Sequence, residues 1–381
     1  MIKFRLAVLV FAVTLVAVPH RANAEPTFLS RQYPRCTTCH YSPTGGGLLT
    51  PYGRSLSREE ISMLGRQSAA EVEAADPATA EEAFLGGVLG DRLGPLQLGL
   101  DMRPSHLALS VGGRDLPDRN FFMNADLLAA YQQGGWTFYG EIGRQPRNGD
   151  WAIDSYEHWV GYQSEGGLGV RAGRFLPAYG VRFADHTSFN RSVLELTQYD
   201  QVYGVEVSLT GERSLAQAVV GPGRADSLVD DDGRRAFSAS GRFQFDLTPR
   251  IVVVGSALYR DASDLDPKSG AGGFSFGFAP GRRVTTWTQL DTLFQDRLAS
   301  DRTHVLVHQT SIEAVRGLWI RISPQIRWTD DDPQAEVRRF VVGADVFPRT
   351  HWHVNLSYYR DRIQFFDLGA QTFLAQLHLY L

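Results

Sequence analysis

Residues 318–328 read Leu318-Trp319-Ile320-Arg321-Ile322-Ser323-Pro324-Gln325-Ile326-Arg327-Trp328. Leu318, Ile320, Ile322, Ile326 and Trp328 fall on one parity, and Arg321, Ser323, Gln325 and Arg327 fall on the other. A period of two marks a strand with one apolar and one polar face. The pattern recurs upstream. Trp136, Phe138 and Ile142 oppose Thr137 and Glu141, and Phe237, Ala239, Gly241, Phe243 and Phe245 oppose Ser238, Ser240, Arg242, Gln244 and Asp246.

Working outward from these stretches gives sixteen such segments, starting near residues 95, 121, 135, 155, 167, 201, 213, 234, 249, 272, 282, 303, 317, 335, 349 and 371. The connections alternate. Short ones sit at Gln133-Gly134, Glu165-Gly166, Gly211-Glu212, Thr248-Pro249, Pro280-Gly281, Arg316-Gly317 and Pro348-Arg349, and longer ones, such as 177–200, lie between them. Even strand number, tight turns at one end and long loops at the other describe an outer-membrane barrel. The expected fold is therefore all-β: a transmembrane antiparallel β-barrel of about sixteen strands over residues 93–381, with fourteen or eighteen as alternatives. A soluble sandwich would use strands nearer five or six residues. Parity also predicts the faces. Glu141, Arg171, Glu206, Arg242, Arg321, Arg327, Arg339 and Asp345 point inward, with His351, His353, Asn355, Gln376, His378 and Tyr380. By the same rule His304 and His308 face the lumen, opposite Val305 and Val307.

Composition agrees with a folded membrane barrel. The chain is 43% hydrophobic and 21% charged, with 22 Phe, 14 Tyr and 7 Trp, too aromatic for a disordered polymer. Residues 1–24 have the form of a secretory signal. Lys3 and Arg5 precede the 13-residue apolar run 6–18, and Ala22-Asn23-Ala24 offers a cleavage site. That run is short of the ~20 residues a spanning helix needs. Removing the signal moves the net charge from −4 to −7. An acidic chain without a basic block is a poor nucleic-acid binder. The expected location is the bacterial outer membrane.

Between signal and barrel, residues 25–92 form a small segment of helix and coil that carries the clearest chemical motif. Cys36-Thr37-Thr38-Cys39-His40 is C-x-x-C-H, the attachment site of a c-type haem. Two thiols three positions apart can each add to one porphyrin vinyl group, and the adjacent imidazole then lies under the ring as proximal iron ligand. An exported redox disulfide or a chance match is the alternative. A redox motif would sit in a thioredoxin-like βαβ pattern, which does not follow here.

Other residues of the segment are weaker candidates. Met63 is a candidate distal ligand; a histidine from elsewhere, water or an open position are the alternatives. Ser57 with Glu60 reads as a capping box opening a short helix. Gly45-Gly46-Gly47 would let the backbone pass close to a flat macrocycle, or form a flexible turn. Arg54 is a candidate propionate partner, or a solvated charge. Residues 68–83 read as a second polar helix or a linker. Two further features are discounted. Gly273-Phe274-Ser275-Phe276-Gly277 matches G-x-S-x-G but lies within a strand rather than at a strand-to-helix turn, and the acidic clusters at 230–232 and 330–332 read as solvated loop charge.

Signal, one C-x-x-C-H near the mature N-terminus and a long barrel together resemble the fused monohaem cytochrome–porins of bacterial outer membranes, whose best-known members are iron(II) oxidases. The local likeness is Pro26, Phe28, Arg31 and Gln32 ahead of the motif, and Tyr52-Gly53-Arg54 after it. The resemblance implies one covalent haem c on Cys36 and Cys39 with His40 as proximal ligand. It also implies electron transfer between the extracellular side and a periplasmic electron-carrier protein. Three functions remain in competition: an electron conduit across the membrane, an iron(II) oxidase using extracellular iron, and a passive porin with a haem-bearing plug.

Overall fold

A computed structural model of the chain describes residues 26–66, 68–75, 93–144, 153–197, 200–222, 237–261, 268–296, 300–330, 332–365 and 367–381. The signal at 1–24 and the acidic cluster at 230–232 lie outside these residues, as does most of the stretch joining the N-terminal segment to the barrel.

Sixteen long antiparallel strands form one sheet that closes on itself. They are β1 (Leu96–Val111), β2 (Arg119–Gln133), β3 (Trp136–Arg144), β4 (His158–Gln163), β5 (Leu168–Phe175), β6 (Val202–Thr210), β7 (Ser214–Gly221) and β8 (Phe237–Thr248), followed by β9 (Ile251–Asp261), β10 (Ser269–Gly281), β11 (Val284–Asp296), β12 (Ser300–Val315), β13 (Leu318–Thr329), β14 (Val337–Arg349), β15 (Trp352–Ile363) and β16 (Leu368–Tyr380). Each pairs with its neighbour in sequence, and β1 pairs with β16 from Asp101↔Tyr380 to Val111↔Ala370. Closure satisfies every edge, which a sheet in lipid requires. The outer wall is apolar: Trp136, Phe138 and Ile142 on β3 and Phe243 on β8 are half exposed, as are Phe274 on β10 and Phe340 on β14. Ser275 of the G-x-S-x-G match sits within β10, inside the wall, with no helix after it.

Part of the lumen wall is apolar and packed, and this corrects one expectation. Val305 and Val307 are fully buried facing inward, so His304 and His308 face outward. The parity rule assigns the apolar face to lipid, but here the interior also needs an apolar wall. Val252, Val254, Trp287, Val305 and Val307 pack against Leu29 of the N-terminal segment and against Val181, Phe183 and Phe189 of the 176–197 loop. The outward histidines are satisfied locally. His308 Nδ1 lies 2.8 Å from Thr288 Oγ1, and His304 lies 3.0 Å from Thr292 Oγ1 and 2.9 Å from Asp330.

Candidate functional site

The site begins in one turn of 3₁₀ helix. The amides of Cys39 and His40 both donate to the Cys36 carbonyl, at 3.2 and 3.1 Å, which gathers Cys36, Cys39 and His40 into a single turn. The chain then loops out and returns. Tyr41 N donates to Leu48 O, and Thr50 N donates to Cys39 O. The loop between them can close tightly because Gly45, Gly46 and Gly47 all take left-handed backbone, with φ of 81°, 76° and 63°. A side chain would also be crowded at each. A Cβ would stand 3.1 Å from Cys36 Sγ at Gly45 and 3.0 Å from the Arg182 guanidinium at Gly46, and at Gly47 it would overlap the Tyr139 hydroxyl.

Helix α1 (Pro51–Leu56) packs directly on the turn. Thr50 caps it, its Oγ1 accepting from Gly53 N at 3.0 Å, and Pro51 opens it. A Cβ at Gly53 would overlap the Cys39 carbonyl oxygen. The expected capping box at Ser57 is not formed: Ser57 ends α1, and its hydroxyl meets Tyr380 Oη at 2.7 Å. The reciprocal cap occurs instead at Ser68 and Glu71, ahead of α2 (Ala69–Ala75).

The segment fills the barrel mouth on the side of the tight turns. Arg35 donates to Asp246 Oδ2 at 2.7 Å and to the carbonyls of Gly211 and Glu212 in the β6–β7 turn. Arg31 bridges Glu60 of the segment and Glu313 on β12. Leu64 N and Gly65 N donate to Phe347 O and Arg316 O at two further turns. Deeper in, Ser42 Oγ reaches Glu157 at 3.0 Å, and Leu48 N donates to Tyr139 Oη. Buried ion pairs of this kind fix geometry more than they stabilise, because each charge has given up its water.

From the far side, the 176–197 loop folds into the lumen. Tyr179 Oη donates to Asp291 Oδ1 at 3.0 Å, Val181 N to Gln289 at 2.9 Å and Phe189 N to Gln325 at 2.9 Å. Arg339 on β14 donates to Thr187 O at 2.8 Å, near the loop's single helical turn α3 (Phe189–Ser192). Arg182 donates back to the Gly45 carbonyl, so loop and segment touch.

Between them lies a cavity of about 260 Å³, bordered by Cys36, Cys39 and His40 on one wall and by Arg182, Asp185 and His186 of the loop on another. The barrel adds Arg103, Arg321, His353 and His378. Burial, with the Arg182 guanidinium nearby, pushes the His40 imidazole down to about 4, so it is neutral at pH 7. Its Nδ1 is buried and has no hydrogen-bond partner among the described residues. Burial alone would raise the Asp185 carboxyl, but the Arg321 guanidinium and hydrogen bonds from Thr187 hold it below its ordinary value.

The structure thus brings three of the five sequence-predicted site residues together on the cavity. The other two stand elsewhere. Arg54 is buried, donating to Gln97 Oε1 at 2.5 Å and Leu49 O at 3.3 Å, outside the cavity lining. Met63 is buried in left-handed backbone (φ 71°) beside the turns and does not border the cavity. Sequence reasoning missed Arg182, Asp185, His186 and Arg103. For the three loop residues the usable signal was the length of the 177–200 connection, since loops beyond ~12–15 residues are usually either functional or linkers.

With this geometry in hand, the likeness to solved proteins is informative about the fold. High-pH OprB of Pseudomonas putida superposes with a TM-score of 0.59 at 10% identity, covering 86% of this chain and 100% of that one. The outer membrane channel DcaP of Acinetobacter baumannii gives 0.54 at 11% identity over 74% and 97%. The chain folds as an outer-membrane porin barrel. An anion-selective porin from Comamonas acidovorans gives 0.52 at 9% identity over 75% and 99%. No family model and no curated protein sequence matches the chain. The porin fold and its apolar outer wall place the protein in the bacterial outer membrane, with lipid around it.

Proposed function

We propose that this barrel is an outer-membrane cytochrome–porin whose N-terminal plug holds one covalent haem c, serving electron transfer between the extracellular side and a periplasmic electron-carrier protein. The observation that carries the reading is the position of Cys36, Cys39 and His40, which face one luminal cavity instead of the periplasm. Three features of that wall suit a c-type haem. Cys36 and Cys39 share a turn, so each thiol can add across one vinyl double bond, sulfur to one carbon and hydrogen to the other. His40 is neutral, the form that binds iron. The left-handed glycine run lets the backbone pass close beside Cys36, where side chains would crowd the thiol.

When bound, a haem c supplies a single one-electron centre. The chain's own residues do the rest. Arg182, Arg103 and Arg321 border the cavity and would counter propionate charge. The plug and the 176–197 loop would exclude water from the ring, which disfavours the more charged oxidised state. The apolar band of such a barrel is ~25 Å tall, and a centre held inside the lumen shortens the path from either surface. Iron(II) is one candidate extracellular donor.

The porin fold itself favours a second reading, a channel whose haem-bearing plug only narrows the pore. Liposomes separate the two. A redox dye is sealed inside and an impermeant reductant, iron(II) or dithionite, is added outside. Dye reduction by the wild type but not by His40→Ala supports transfer. Equal reduction by both, or none by either while ions pass, supports the passive channel.

A further inference from the structure

We propose that His186, on the loop that folds into the lumen, is the second axial ligand of the iron that His40 holds, making the site bis-histidine. The inference rests on the haem reading above and deepens it. Met63, the distal candidate from sequence, does not border the cavity. Among the described residues, the histidines that do are His40, His186, His353 and His378.

Two of these already face a carboxylate through Nε2. His353 Nε2 lies 2.9 Å from Asp345 Oδ1, and its ring stacks on Phe347 at 4.4 Å between centroids. His378 Nε2 lies 3.2 Å from Asp101 Oδ1, and its ring packs against Tyr380 at 5.1 Å. His186 differs. Its ring hydrogen-bonds to none of the described residues, its nearest charge being the adjacent Asp185, and it borders the same cavity as the Cys36–His40 turn. A ring nitrogen not already committed to a protein group is what an iron ligand requires.

The backbone around His186 is held on both sides. Asp185 Oδ1 accepts from Thr187 N at 2.9 Å and Thr187 Oγ1 at 2.7 Å, and Arg339 takes the Thr187 carbonyl. Four residues earlier, Arg182 donates to Gly45 O, next to the haem turn. The loop therefore holds His186 on the cavity that His40 also borders, from a position fixed by both barrel and plug.

The test is spectroscopic, on the purified full chain with its haem. Electron paramagnetic resonance and near-infrared spectra report spin state and axial ligands. The wild type is expected to be low-spin bis-histidine and His186→Gly high-spin, with added imidazole restoring the low-spin signal. Met63→Leu should match the wild type. A low-spin bis-histidine spectrum unchanged in His186→Gly, or a high-spin wild type, overturns the assignment. Barrel folding is followed by the shift in gel migration on heating. Should His186→Gly lose that shift, His186→Met replaces it, and failure to gain a methionine-ligated signature is then the overturning result. A wild type without covalent haem overturns the functional reading itself, which the haem stain reports independently of spin state.

Discussion

Arg35 and Asp246 form a buried ion pair at 2.7 Å that ties the residue before Cys36 to strand β8. Its charges have little water to fall back on, and the same guanidinium also caps two carbonyls of the β6–β7 turn. Removing one partner of such a pair costs about 3–5 kcal/mol. Arg35→Met should therefore undock the plug while the barrel survives. Limited proteolysis should cut the N-terminal segment faster, and single-channel conductance should rise. Unchanged conductance and cleavage would show that the other anchors suffice.

Gly53 is the second test of the plug. Its position against Cys39 leaves the backbone itself as the obstacle, with Cys39 Cα 2.8 Å from an added Cβ. Backbone cannot swing aside as a flexible side chain can, so Gly53→Ala should displace the Cys39–His40 turn. The expected result is a several-fold loss of covalent haem per folded barrel, scored as peroxidase stain against heat-shifted protein. Gly140→Ala, where an added Cβ meets nothing within 4 Å, should match the wild type.

The inward valines and outward histidines of β12 make a paired prediction. Val307→Asp buries an unpaired carboxylate against the loop's apolar side, a penalty of several kcal/mol. The 176–197 loop should release and the conductance increase. His308→Leu removes a group on the lipid face and should change neither conductance nor heat-resistance. The reverse pattern would mean that the sequence parity was right and the packing assignment wrong.

Strands β3 and β12 differ in how far their faces were legible from sequence. The lipid face of Trp136, Phe138 and Ile142 was legible because hydrocarbon imposes one uniform demand on every outward side chain. The turn at Cys36 was legible because the C-x-x-C-H spacing is a local feature of five consecutive residues. The lumen was not. Whether Val305 or His304 points inward depends on a loop more than a hundred residues away in sequence, whose Phe183 and Phe189 need an apolar wall. Arg182 and His186 became site residues by the same long-range folding, and no local spacing marks them. Arg54 and Met63 sit near the haem motif in sequence, yet the segment turns them toward the barrel wall and the tight turns instead.

The central claim is that Cys36 and Cys39 hold a haem c inside this barrel, and the most direct measurement is on the purified mature protein. Its mass and its peroxidase stain are recorded after boiling in denaturant, beside a Cys36→Ala, Cys39→Ala variant. Thioether bonds survive unfolding, so the wild type should keep the stain and carry the added mass of one haem, and the variant should lose both. A haem-free wild type with Cys36 and Cys39 joined in a disulfide would contradict it.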